Sequence, residues 1–475
     1  MIMKPLNAVF ATVVVLALAE PWAARAQDES TESDTRALAR AILTELVGIK
    51  TTESGVGSTP AAEAVAARLW AAGFSDDAVL VAGAAPRKKN VVARLAGRGK
   101  GRPILVIGHL DVVEARKEDW SPDLDPFTLV ERDGYFYGRG TQDMKESAAI
   151  FLADFIRWKK EGFVPSRDLV LALTADEEEY GDENGVAWLL KNRRDRIDAE
   201  YAINLDGGDF TTRDGKPYAV TVAAGEKKET ILRLETTNPG GHGSVPRADN
   251  AIYELVAALR KIETLRFPPA TNEVTRAELQ GMAGLETGER ASLLRAAAQD
   301  PPDATAIERL SADPYVNALL RTTCVATMLE AGHGPSALPQ RARAVLNCRI
   351  LPGQASADLL AALRHAIGDD RVEIAWQFNE PSDPPASALR PDLFAAVKDV
   401  TTASWPGVVV MPGMETGATD ARFLRAAGIP TYGVSGAFIE QGDLRAHGKD
   451  ERIRVRDFYE GVAFYDRFVK RLLRD

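Results

Sequence analysis

Cysteine is nearly missing from this chain. Only Cys324 and Cys348 occur in 475 residues, which excludes a fold built on a disulfide framework. Cys324 lies in TTCVATML and Cys348 in the alternating run RARAVLNCRIL, both strand-like, so either one cross-strand bridge or two buried thiols is expected. Basic blocks are absent too: the formal net charge of -10 is spread along the chain, which argues against nucleic acid or an anionic membrane surface as partner. Low-complexity tracts and internal repeats are lacking, and 45% hydrophobic with 27% charged residues is the composition of a globular protein. Beyond the N-terminus, no segment approaches the run of about 20 apolar residues that spans a bilayer.

The N-terminus is the exception. MIMKPLNAVFATVVVLALAEPWAARAQDES has Lys4 in front, an apolar run through Val15 and Leu18, and the small-x-small triplet Ala24, Arg25, Ala26. That is the pattern of a secretory signal cleaved before Gln27. The run is short for a membrane span and Pro21 follows it. Residues 1–26 are therefore expected to be a signal peptide, and the mature protein to be secreted or periplasmic with no membrane attachment.

From about residue 34 helical and strand patterns alternate. Residues 34–47 and 60–73, ESAAIFLADFIRWKK and VAWLLKNRR read as helices; NVVARL, PILVIG, LVLALTA and AEYAINL read as strands. Strands that are apolar throughout and separated by helices predict an α/β domain with a mostly parallel sheet covered on both faces. Near residue 226 the order becomes ETILRLETT, NAIYELVAALRKIE, TTCVATML, RARAVLNCRIL, ASADLLAALRHAI, VEIAWQ. This is strand, helix, strand, strand, helix, strand, a ferredoxin-like α+β arrangement. It divides the chain into an α/β domain at 27–225 and 380–475, with a second domain, a candidate lid, inserted at 226–379. A mainly helical interruption at about 265–315 is expected to enlarge that lid. The α/β pattern resumes with DLFAAVKDVT, GVVVM, ARFLRAAG and TYGVSG and ends in a helix over Val455–Leu473.

In an open parallel sheet, ligands bind beyond the carboxyl ends of the strands. PILVIG runs into His109, Leu110, Asp111; LVLALTA runs into Asp176, Glu177, Glu178; AEYAINL runs into Asp206; and Asp143 opens the helix after YGRGTQ. Singly, each reads as a turn or N-cap residue, and the run Asp176–Glu179 as a solvated rim. Converging on one rim, these carboxylates would repel one another unless a cation lay between them. A divalent metal pair removes the conflict, and imidazole with carboxylate and no thiolate suits catalytic zinc, with manganese or cobalt as alternatives. Of five histidines, His447 follows the last strand at the same edge and His242 stands behind a Gly-rich turn in PGGHGSVP; His365 lies in a helix and His333 in a loop.

The series GHLDVV, DGYFYGRGTQDMK, TADEEEYG, NLDGG, PGGHGSVPRADNAI, NCRILPG, GATDARFL and AHGKDERI resembles the co-catalytic zinc metallopeptidase family of glutamate carboxypeptidase, aminoacylase, carnosinase-type dipeptidases and succinyl-diaminopimelate desuccinylase. The motifs fall in the family's order across nearly the whole chain after residue 26. The resemblance implies two Zn2+ per subunit, His109 and Asp206 holding one, Glu178 and His447 the other, and Asp143 bridging them. It implies Asp111 as the group that orients His109, Glu177 as general base, and His242 at the developing oxyanion, often from a partner subunit. Arg349 would clamp a substrate carboxylate. Ser336 stands in GHGPSALPQ where the family usually has a substrate-contacting Asn. The alternation in AVLNCRIL places Arg349 on the face away from the lid core, free to meet a ligand. The activity implied is cleavage of an amide in a small peptide with a free C-terminus; an N-acyl amino acid amidohydrolase is the close alternative, and a non-catalytic peptide- or metal-binding protein the alternative from another class. A homodimer through the lid is the implied assembly.

Overall fold

Three strands that are buried at every position lie side by side at the centre of the protein. The computed structural model describes residues 19–99, 101–179, 183–378 and 383–474, with the side chains of residues 19–31 left aside. Residues 1–18 of the expected signal peptide lie outside the described residues, and Ala19–Gly48 form one helix. No helix among the described residues is long and apolar enough to cross a membrane.

Leu169–Thr174, Ile104–His109, Tyr201–Asn204 and Thr431–Gly433 pair in parallel, in that order. Further strands, joined on either side through the antiparallel neighbours Lys88–Leu95 and Lys216–Glu226, extend this core to a sheet of ten among the described residues. Helices Ala19–Gly48, Lys145–Glu161 and Val455–Leu473 cover one face with a large core containing Phe151, Phe155, Trp158 and Tyr465. Gly185–Asn192 and Ala421–Ala426 cover the other through Val186, Leu189 and Leu424. Burial on both faces is why these strands do not alternate with polar residues.

The lid has a four-stranded antiparallel sheet in the order Thr323–Ala331, Arg341–Ile350, Lys228–Thr237, Glu373–Trp376, with Ala251–Thr264 and Ser356–Ile367 closing its core. This is the ferredoxin-like order that the sequence predicts. Cys324 and Cys348 face each other across two of these strands and are bonded as a disulfide. Of the two readings left open by the sequence, the bridge is the one realised. It closes a loop with a sequence separation of 24, so the double variant Cys324→Ser/Cys348→Ser is expected to unfold with about 3–4 kcal/mol less stability. Urea unfolding checks this, and equal midpoints would reject it.

The interruption departs from expectation. Instead of enlarging the lid, helices Glu273–Leu285, Gly288–Ala297, Ala304–Leu310 and Pro314–Leu320 pack around their own small core and dock on strand Val409–Glu415 of the catalytic domain. The approach is close: a Cβ on Gly281 would overlap Met411 Sδ. Glu278 ties the two elements by accepting the Met414 backbone N–H at 2.9 Å. Helical periodicity alone does not say which neighbour an apolar stripe will meet.

Candidate metal centre and active site

Adjacent parallel strands end at the same edge, and each delivers its next residues to one place. His109 ends the first, Glu177 and Glu178 follow the second, and Asp206 follows the third. His109 is buried, its Nε2 3.1 Å from Asp143 Oδ1 and 3.7 Å from Asp206 Oδ2. His447 Nε2 lies 3.0 Å from Asp143 Oδ2 and 3.1 Å from Glu178 Oε2. Two triads result, His109–Asp143–Asp206 and Asp143–Glu178–His447, each with ligand atoms within 4.8 Å of one another. Asp143 belongs to both, one oxygen toward each histidine.

The electrostatics are those of a site that needs cations. Burial pushes the Asp206 carboxyl well above its ordinary range, and repulsion by Asp143 adds to it. Burial also raises Glu178, against the pull of His447. His447 is held up to about 10 by hydrogen bonds to Asp143 and Glu178. Burial works against a charged His109, yet Asp143 and Asp206 raise its pKa all the same. Protons here do what divalent ions do better, and the fit is supported by two orphaned atoms: Glu178 Oε1 and Asp111 Oδ1 are buried without a hydrogen-bond partner. An all-nitrogen-and-oxygen donor set shared through one carboxylate fits a pair of borderline or hard divalent ions.

Around the triads stand groups that hold them. His109 Nδ1 donates to the backbone carbonyl of Asp111 at 3.0 Å, which leaves Nε2 to face the carboxylates. The Asp111 side chain, expected to orient the imidazole, is 3.8 Å from Nδ1 and instead accepts the Glu178 N–H at 3.0 Å. Asp111 thus orients His109 through its main chain and Glu178 through its carboxylate. Asn204 Oδ1 accepts the Asp206 N–H at 3.1 Å.

The four acids of DEEE separate cleanly. Asp176 adopts a left-handed φ of 65° and its buried carboxylate meets Lys88 Nζ at 2.7 Å, so it anchors the turn. Glu177 is nearly buried, with 10% of its side chain exposed, belongs to neither triad, and has Arg422 Nη1 at 4.0 Å. Burial pushes its carboxyl well above the ordinary range, with His109 opposing. Glu178 is a triad member. Glu179, expected to face solvent, is half-buried in a small recess with Glu53, Lys88 and Asp176.

Glu451 has no place in the sequence reading, since in KDERI it looks like one more solvated charge. It is fully buried. Its carboxylate pairs with Arg139 Nη1 at 2.5 Å and accepts the N–H groups of Gly140, Gln142 and Asp143 at 2.7–3.1 Å. Gln142 in turn donates to the carbonyls of Asp443 and Arg452 and accepts from the N–H groups of Arg445 and Ala446. The Asp143 turn and the His447 loop are thereby fastened together. Glu451→Ala would strand a buried guanidinium, so a loss of about 3–5 kcal/mol is expected. Chemical unfolding measures it, and a change lost in experimental error would show that the loops hold without the clamp.

Three expected residues do not join this group. His242 is exposed on the short strand Gly241–His242, its Nδ1 2.7 Å from Ser244 Oγ. Ser336 lies beside it and contributes its backbone carbonyl to the Gly243 N–H at 2.7 Å. Arg349 does point away from the lid core, but it is not free: Nη2 pairs with Glu229, its cross-strand neighbour, at 2.6 Å. None of the three lines the large cavity beside Asp143 and Asp206.

Residues 105–471 match the peptidase family M20/M25/M40. Among curated relatives, a probable carboxypeptidase S-like 2 of Dictyostelium discoideum is 30% identical over 380 residues, 78% of this chain and 71% of that one. The human N-fatty-acyl-amino acid synthase/hydrolase PM20D1 is 28% identical, over 76% of this chain and 72% of its own. The fold is shared with an M20 family metallo-carboxypeptidase of Sulfolobus solfataricus, at a TM-score of 0.71 and 18% identity over 91% of this chain and 99% of that one. Human carnosine dipeptidase 1 gives 0.64 at 16% identity, covering 94% and 99%. With the paired triads on the carboxyl edge of its sheet and the match spanning most of its length, the chain belongs to the M20/M25/M40 peptidase family and is a metallohydrolase acting on peptide or amide bonds.

Proposed function

We propose that the protein is an exported hydrolase that uses two divalent metal ions to cleave the amide joining an acyl group to a C-terminal amino acid, the bond common to small peptides and N-acyl amino acids. The observation that carries this reading is the sharing of Asp143 between two triads, with Glu177 beside them and in neither. Zinc is the first choice of metal, and manganese or cobalt would fit the same donors. Export rests on the signal pattern of residues 1–26.

When bound, two such ions polarise a carbonyl and make water more acidic. Glu177 accepts a proton from the attacking water as its oxygen adds to the amide carbon, and returns that proton to the nitrogen as the C–N bond breaks. Burial suits Glu177 to the task by raising the proton affinity of its carboxylate, which makes it a stronger base. The Asp111 main chain and the Glu451 clamp keep His109 and Asp143 aimed.

His242 completes such a site only from a second copy or after lid movement. A homodimer through the lid is the reading we adopt, supported by the edge strand Thr323–Ala331, where Val325, Met328 and Leu329 are each at least 60% exposed. Similarity to a carboxypeptidase S-like protein argues for peptides, and similarity to an N-fatty-acyl-amino acid synthase/hydrolase argues for N-acyl amino acids. A product survey with dipeptides against acetylated amino acids separates them, and turnover of neither, with metal supplied, would contradict the proposal.

A further inference from the structure

Glu226 is the last residue of the strand Lys216–Glu226, and the lid strand Lys228–Thr237 starts two residues on. Its carboxylate is buried at this junction together with a guanidinium: Arg425 Nη1 lies 3.1 Å from Glu226 Oε1, and each side chain is 3% exposed. Taking both charges out of water is costly. Yet neither residue belongs to a metal triad or lines the cavity beside Asp143.

The other oxygen of Glu226 leads to the metal centre. Oε2 accepts the Thr419 N–H at 3.1 Å and the Thr419 hydroxyl at 2.8 Å. A carboxylate paired with a guanidinium only accepts, so the hydroxyl gives its hydrogen to Glu226 and keeps its lone pairs for other donors. One of these is Asn204 Nδ2, at 3.0 Å. That contact fixes which end of the buried Asn204 amide is the donor and turns Oδ1 to the Asp206 N–H at 3.1 Å. Nδ2 donates to the Asp206 carbonyl as well, also at 3.1 Å. Both main-chain groups of Asp206, whose carboxylate completes the His109 triad, are thus held by one amide whose orientation Glu226 sets through Thr419.

The far end of the same turn is fastened from the neighbouring strand. Glu415 lies opposite Glu226 in the parallel register and accepts the Gly208 N–H at 2.8 Å. Its backbone carbonyl accepts the Lys227 N–H at 2.9 Å, so the strand pair at the root of the lid grips the Asp206 turn at both ends.

We infer that Glu226 is a positioning residue for Asp206, acting through Thr419 and Asn204, and that this chain of hydrogen bonds sets the affinity of the His109–Asp206 half of the metal pair. The inference rests on the two-ion reading above. Its test is a calorimetric zinc titration of the chelator-stripped protein, in which the two ions are followed separately. Thr419→Val keeps the shape and removes the hydroxyl; it is expected to weaken one ion by about 10–100-fold and to leave the other as it was. Thr419→Ser is expected to restore the affinity, which a packing role for the threonine methyl would not do. Asp206→Ala identifies the ion concerned: Thr419→Val added to it is expected to leave the remaining ion unchanged. Glu226→Gln is expected to weaken the same ion, and its effect and that of Thr419→Val are expected not to add, since both break one chain. Circular dichroism accompanies each variant, and the Thr419 variants, which leave the Arg425–Glu226 pair in place, carry the test should Glu226→Gln fail to fold. Two ions bound as tightly by Thr419→Val as by the unaltered protein, or both weakened alike, overturns the inference while the metal pair stands. Fewer than two ions taken up by the unaltered protein removes the two-ion reading, and the inference with it.

Discussion

Replacing Glu177 with glutamine is expected to lower kcat by about 10²–10⁴-fold while leaving the metal content of the protein unchanged. The two halves of this result come from separate observations. Glu177 stands in neither triad, so its loss removes no metal ligand. Its carboxylate is nearly buried, beside His109 and Glu178 but hydrogen-bonded to neither, with Arg422 Nη1 at 4.0 Å as its nearest cation. Glutamine keeps the shape and loses the proton acceptor, and nothing else in the triads is free to replace it. Steady-state kinetics with metal analysis of the same preparation gives both numbers. Activity near that of the unaltered enzyme would assign the proton to another group; loss of metal in parallel would make Glu177 a ligand.

Asp143→Ala is expected to have the larger effect on metal. It is the one side chain that both triads share, with Oδ1 toward His109 and Oδ2 toward His447. Removing it leaves each triad with two donors and also takes away the charge that holds both imidazoles in place. Metal content is therefore expected to fall at both sites together, and activity with it, whereas Asp206→Ala or Glu178→Ala should affect mainly one. Elemental analysis of the three variants, normalised to protein, distinguishes these patterns. Asp143→Ala retaining the same metal as Glu178→Ala would show that the bridge is not shared. Metal-ligand variants can also lose fold, so circular dichroism accompanies each preparation.

Much of this site was legible because strand periodicity is a local signal. An apolar run ending in His109-Leu110-Asp111 or Asp176-Glu177-Glu178 tells where a buried strand stops, and parallel neighbours must stop at the same edge. The same logic placed the lid's strands but left Cys324 and Cys348 as either a bridge or two thiols, which the register between their strands decides. What escaped depends on contacts across the sequence. Alternation turned Arg349 outward, but it could not say that Glu229 would lie opposite it on the next strand. A lid histidine and serine are placed relative to the triads by domain orientation, which no local pattern encodes. Glu451 sits in a stretch of charges, and only the tertiary fold shows that it is buried with Arg139 beneath the Asp143 turn. The insertion carried a clear helical stripe with no mark of its partner strand.

The most direct test is a metal titration of the chelator-stripped protein against a hydrolysable amide chosen from the survey of dipeptides and N-acyl amino acids. Hydrolysis is expected to be absent from the stripped protein and to return as zinc is added, with binding complete at two ions per chain, as two triads joined by Asp143 require. Hydrolysis that persists after exhaustive chelation, or binding that saturates at a single ion with full activity, would contradict it.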